Sequence, residues 1–218
     1  MNFFDKIVLL ATGGVAIYTI WFLLQKQKDS KTAHVSNYYY MTSFAVLLTS
    51  GLLLIIFGWN ILGLLGGGSM ASKFVSVVAT LIPFSLAVGL VTRFYPEKAT
   101  LYLNILLVGL LLIVASKFLD MPRLAKIIYP VFHSIAGLTI FIIPILAVKQ
   151  GTMSNDFYAI TVGGTLISLG GISLGFLTAG KQLLFFSPEF VLMILAPLLF
   201  FTALGYMWGL TRGEPFTL

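Results

Sequence analysis

Charged residues in this chain are confined to short intervals, and long apolar stretches occupy everything between them. Such a chain cannot fold as a water-soluble globule. A soluble domain carries about 25% charged residues, whereas here 9% are charged and 59% are apolar over 218 residues. A helix that crosses a bilayer needs about 20 mostly apolar residues. Seven such segments with short connections use up the chain, so the sequence predicts one transmembrane domain over 1–218. The segments are too long and too continuously apolar for barrel strands, which alternate residue by residue. Backbone groups in hydrocarbon must pair internally. The fold class is therefore an all-α, multi-pass integral membrane helical bundle with seven transmembrane helices.

The spans expected from hydropathy and its punctuation are approximately 7–24, 38–59, 74–92, 99–116, 127–148, 158–177 and 190–210. Lys6 followed by the apolar run from Ile7 to Leu24 has the look of a signal peptide, but Gln25-Lys26-Gln27-Lys28 follows in place of a small-residue cleavage site, so the run reads as a retained helix. Tyr38, Tyr39 and Tyr40 form an aromatic belt, and Trp21, Trp59 and Trp208 fall near expected helix ends as interfacial anchors. Gly66-Gly67-Gly68 reads as a turn, since no Gly-Lys-Ser/Thr follows. Pro130 is expected in the first turn of helix five, where proline costs little. The stretch from Lys181 to Phe186 is amphipathic. Ser187-Pro188-Glu189 is a helix start, with a capping hydroxyl, proline at the first position and an acid facing the dipole.

Net charge is +6, yet the 13 basic residues are spread over many loops. No basic run interleaved with aromatics points to nucleic acid, and the positive charge reads as topology and contact with lipid headgroups. The basic residues divide almost evenly between the two faces. The lysine-rich first loop, with Lys26, Lys28 and Lys31, tips the expectation to N-terminus outside and C-terminus inside. The absence of cysteine removes disulfides, thiolate catalysis and zinc–thiolate or iron–sulfur ligation.

A shift of about 120 residues lays helix one on helix five, with Val15-Ala16 on Ile135-Ala136 and Thr19-Ile20 on Thr139-Ile140. Slightly smaller shifts lay Asn37 on Asn155, Ser50 on Ser168, Phe74-Val75 on Phe190-Val191 and Pro83 on Pro197. A 3+1+3 plan follows, with two parallel triplets and helix four between them. This plan resembles that of SWEET-type sugar transporters, which join parallel three-helix repeats by a linker helix. In length and helix number the chain is also similar to microbial rhodopsins. Both likenesses are of topology alone. The stretch from Phe190 to Leu210 has no lysine for a retinal Schiff base, and no paired proline-glutamine signature is present.

His133 is the foremost candidate for chemistry. It lies inside helix five, roughly 10 Å from its expected start at 1.5 Å per residue. Ionisable groups at membrane depth are functional candidates, and a neutral imidazole could ligate the metal of a chlorophyll or haem. The only other histidine, His34, sits in a loop, so a bis-histidine site is not formed. Helix six carries small residues at helical spacing, Gly164 with Ser168 and Gly171 with Gly175, which suit close helix packing or a groove for a flat pigment, quinone or lipid tail. Pro83, Pro144 and Pro197 are expected to kink their helices. Asn104, Thr80, Ser85, Thr161 and Thr165 could line a polar path.

All seven carboxylates map to loops, helix ends or tails. Ion-coupled carriers use an ionisable group near the midplane, and no nucleophile–base pair, metal cluster or phosphate loop is visible. The expectation is a non-catalytic membrane subunit of a larger complex of respiratory or photosynthetic type, in contact with lipid and partner subunits. The alternative is a facilitative transporter of a small neutral solute.

Overall fold

In a computed structural model, residues 1–62, 70–178 and 186–213 are described. Among them are seven α-helices and no strand: α1 Phe3–Lys28, α2 Ser36–Phe57, α3 Met70–Phe94, α4 Pro96–Phe118, α5 Pro122–Lys149, α6 Tyr158–Thr178 and α7 Pro188–Arg212. All but α6 are long and apolar enough, within the described residues, to cross a membrane; α6 has 21 residues. These helices fit a multi-pass integral membrane protein in contact with a bilayer. The expected turn at Gly66–Gly68 and most of the amphipathic stretch from Lys181 lie outside the described residues.

Most helices start earlier than the apolar runs, because capping extends them beyond the hydrocarbon-length segment. In α1, Asn2 Oδ1 accepts from the Asp5 amide at 2.8 Å and Asp5 Oδ2 accepts from the Asn2 amide at 2.9 Å, a reciprocal capping box. Pro96 and Pro122 occupy the first turns of α4 and α5, where a missing N–H leaves nothing unpaired. Pro130 is consequently interior to α5 rather than in its first turn, and α5 runs on past Pro144 to Lys149. At α7 the sequence signal is realised: Ser187 Oγ accepts from the Phe190 amide at 3.2 Å and Pro188 follows it.

Packing partners form a ring. Along it, α1 contacts α2, α2 contacts α3, α3 contacts α5, α5 contacts α6, α6 contacts α7, and α7 returns to α1. Helix α4 lies outside, against α3 and α5. Buried apolar residues from all seven helices make one continuous core, including Ala16, Phe44, Phe84, Leu106, Ile140, Ile160 and Tyr206. Helix α3 is buried most deeply; its stretch from Leu86 to Val91 is enclosed on every side, between α2, α4 and α5. Helix α4 is the reverse, with Leu101, Val108 and Leu111 facing outward.

Two faces of the bundle are fixed by contacts between connections. On one, Lys73 of α3 pairs with Asp120 in the α4–α5 connection, and Asp5, Trp59 and Glu189 border one groove. On the other, Trp208 Nε1 donates to Asp156 Oδ1 at 2.9 Å, next to the C-terminal end of α7. Trp59, expected as an interfacial anchor, is instead only 7% exposed and packs with Leu9, Leu54 and Val75.

Candidate functional site

His133 lies further along its helix than the apolar run alone implied. Because α5 begins at Pro122, the imidazole is roughly 16 Å along the helix at 1.5 Å per residue, close to the middle of the element. Spacing places Tyr129, His133, Ala136 and Ile140 on one stripe of α5. Ala136 and Ile140 are fully enclosed, whereas Tyr129 and His133 are half-buried. The whole helix shows this division: every buried residue of α5 lies from Ala136 onward, and none lies in its first half.

One helical turn apart, the rings of Tyr129 and His133 stack with centroids 5.0 Å apart and planes 20° from parallel. Lys117 Nζ, from the end of α4, sits 5.4 Å from the Tyr129 ring centroid, in cation–π range. Thr80 of α3 is the polar neighbour of the Tyr129 hydroxyl. Lys73 approaches Lys117 and is itself paired to Asp120. A polar line therefore runs from the charged face of the bundle inward along the junction of α3, α4 and α5, and ends at His133. There, Nδ1 is enclosed and has no hydrogen-bond partner among the described residues.

The small residues predicted on α6 do not share one environment. Gly164 is buried: a Cβ there would lie 3.1 Å from Ile140 Cγ2. Ser168 is exposed and donates to the Gly164 carbonyl at 2.7 Å. Gly171 is exposed, with open space where a Cβ would stand. The surroundings of Gly175 lie outside the described residues. The close approach of α6 and α7 falls on Gly163, Gly205 and Gly209. Gly205-x-x-x-Gly209 on α7 and Ala159-x-x-x-Gly163 on α6 are the spacings that announce such a contact.

Prolines and hydroxyls are linked at two of the three expected kink sites. Ser43 Oγ of α2 donates to the carbonyl of Ile82, the residue before Pro83, at 2.8 Å. Thr161 Oγ1 of α6 donates to the Phe141 carbonyl, in the turn before Pro144, at 3.0 Å. Pro197 is half-buried within α7. The residues considered for a polar path do not meet. Asn104 and Thr165 are exposed, and the Thr80 and Thr165 hydroxyls bond back to the carbonyls of Ser76 and Thr161.

Among the described residues no three His, Cys, Asp or Glu side chains converge as a metal site. The described carboxylates lie at helix ends or in connections, as with Asp5, Glu97 and Glu189 in first turns. Outside the helices, His34 Nδ1 accepts from the Ser36 amide at 3.1 Å, at the start of α2. Partial burial, and secondarily the positive charge of Arg93, hold this imidazole below the ordinary histidine range. No family model matches the chain, and no curated protein or solved structure matches it.

Proposed function

We propose that this chain is a non-catalytic, seven-span subunit of a larger membrane complex, with helix packing and lipid contact as its main work. The observation that carries this reading is the core. Side chains from all seven helices pack into one large apolar cluster, with a smaller one around Leu9, Leu54 and Leu195, and a filled interior of this kind suits a scaffold better than a conduit. Exposed apolar residues such as Leu52, Ile56, Leu111 and Leu138 give the outer faces surfaces for lipid or for neighbouring subunits. The lysine-rich connection between α1 and α2 supports an N-terminus outside and a C-terminus inside. Mild-detergent isolation of the tagged chain from its native membrane tests the proposal. Stoichiometric partner subunits are expected; a lone, monodisperse chain would overturn it.

A second reading, a facilitative carrier of a small neutral solute, is favoured by the helix contacts. Exchanging α1 with α5, α2 with α6 and α3 with α7 maps the ring of contacts onto itself. Two parallel triplets joined by α4 would generate this set. Solute uptake into proteoliposomes without any ion gradient is expected for a carrier, and its absence across small polyols and sugars would count against one.

A further inference from the structure

The two sides of α4 are unlike. Leu106, Gly109, Ile113 and Ser116 are buried, on the side that meets α3 and α5. On the opposite side Leu101, Asn104, Val108 and Leu111 are all exposed. Their spacing of three, four and three residues is that of a coiled-coil seam, along which one helix packs on another. Asn104 is the polar member of this seam. The run 99–116 carries no charge, and its 18 residues span about 27 Å at 1.5 Å per residue, close to a hydrocarbon core about 30 Å thick. Asn104 stands six residues past Lys98, about 9 Å along the helix, too far for a short side chain to reach the charged end. A carboxamide in hydrocarbon is costly unless hydrogen-bonded. Helix carbonyls can accept from Nδ2, but the interior N–H groups of a helix are already used, so Oδ1 needs a donor from outside the helix.

We propose that α4 is the contact between two copies of this chain, which pair about a two-fold axis along the membrane normal with Asn104 against Asn104. Symmetry selects the occupant. Copies inserted in one orientation close a pair only about such an axis. That arrangement lays α4 parallel to α4 and sets each seam residue against its own counterpart. A residue on the axis must therefore complement itself. A carboxamide does, since Nδ2 of each copy donates to Oδ1 of the other, whereas a lysine or a carboxylate there would meet its like charge. Leu101, Val108 and Leu111 match themselves by van der Waals contact, and one polar residue in such a seam fixes its register. The nearby cations stay clear of it, with Lys117 over the Tyr129 ring and Lys98 over the Tyr95 ring. Glu97 lies on the same stripe but in the first turn of α4, outside the uncharged run. The pairing leaves the ring of the other helices untouched and holds whether or not other subunits exist.

Because the chain has no cysteine, single substitutions report the contact by disulfide cross-linking. In native membranes under mild oxidation, Leu101→Cys and Val108→Cys should yield covalent dimers of the chain, while Leu52→Cys, also exposed but on α2, should not. In liposomes, resonance energy transfer between labelled full-length chains across a dilution series should give a dimerisation constant. Asn104→Leu should weaken it about tenfold, equivalent to about 1.4 kcal/mol, and Asn104→Gln, which keeps the amide, should leave it within about threefold of wild type. Should Asn104→Leu fail to fold, the cross-linking pattern decides alone. No dimer from Leu101→Cys and Val108→Cys, an equal yield from Leu52→Cys, a chain monomeric at every dilution, or undiminished association of Asn104→Leu overturns the proposal. So does a Leu101→Cys that links only to a different protein, because another subunit would then cover α4. A chain that purifies as a dimer of itself with no other subunit would remove the subunit reading and leave this contact standing.

Discussion

Gly205 of α7 meets Gly163 of α6 backbone to backbone: a Cβ on Gly205 would stand 3.2 Å from Gly163 Cα and 2.7 Å from the Ala159 carbonyl oxygen. Neither neighbour is the movable end of a side chain, so the helices themselves would have to part. Overpacking of this kind costs about 1–3 kcal/mol, occasionally more. Gly205→Val should lower stability by that amount in reversible unfolding from mixed micelles. Gly171→Val, facing open space, should change it by less than about 0.5 kcal/mol. Equal losses at the two sites would refute the close approach.

Helix α4 is held to α5 by a different device, the Phe132 ring laid on Gly109. Gly109→Ala intrudes on the ring, and Phe132→Ala removes it and leaves a cavity. Combined, the two substitutions relieve each other. The double mutant should therefore be more stable than the sum of the single losses predicts, by about 0.5–3 kcal/mol. Strict additivity in a double-mutant cycle would place the two residues out of contact.

The connection between α1 and α2 carries a pH response. His34 is neutral while Nδ1 caps α2, and its pKa in the folded chain is below the 6.5 of a free imidazole. The unfolded state then binds more protons across that interval, so stability rises with pH there. The contribution is complete above about 6.5 and is lost as pH falls through the lower, folded value. Thermal unfolding between pH 7.5 and 4.5 should show this slope in wild type and lose part of it in His34→Ala. In Arg93→Gln the loss should level off at a higher pH and be smaller in total, because a charge that disfavours protonation of the folded state is gone. An unchanged profile in both variants would remove His34 as the source.

At the start of α1, Asn2→Ala breaks one arm of the capping box and Asp5→Ala the other. Each should cost about 1 kcal/mol, within the range of about 0.5–2. The double variant should cost less than the sum, because each arm orders the other. Hydrogen exchange at the first amides of α1 should quicken in step. Full protection in Asn2→Ala would mean that the helix start is held by something else.

Much of the bundle could be read from the chain before any packing was known. Hydropathy placed seven helices, and Ser187-Pro188-Glu189 marked the start of α7, because those signals are local. Helix ends were less legible, since Asn2 with Asp5 and the prolines at 96 and 122 carry the backbone beyond the apolar run. Neighbours were not legible: Ile140, Phe84 and Ala16 are interchangeable to a hydropathy scale, and only three-dimensional packing puts α7 beside α1 and leaves α4 outside. The glycine contact was half visible. Gly205 and Gly209 have the right spacing, but α6 alone has so many small residues that spacing does not choose among them. For His133, the stacking of Tyr129 one turn away follows from helical period. The enclosed Nδ1, without a partner among the described residues, does not, because it depends on how other helices pack around it.

The outlying position of α4 has a topological consequence. Each passage through the bundle reverses the direction of the chain, and three passages from α1 to α3 leave it on the side opposite to its start. Joined directly, α5 would set out from that far side and the last three helices would stand upside down relative to the first three. By ferrying the chain back once while adding little to the ring, α4 acts as a parity switch: it gives α1 and α5, α2 and α6, and α3 and α7 the same sense of travel.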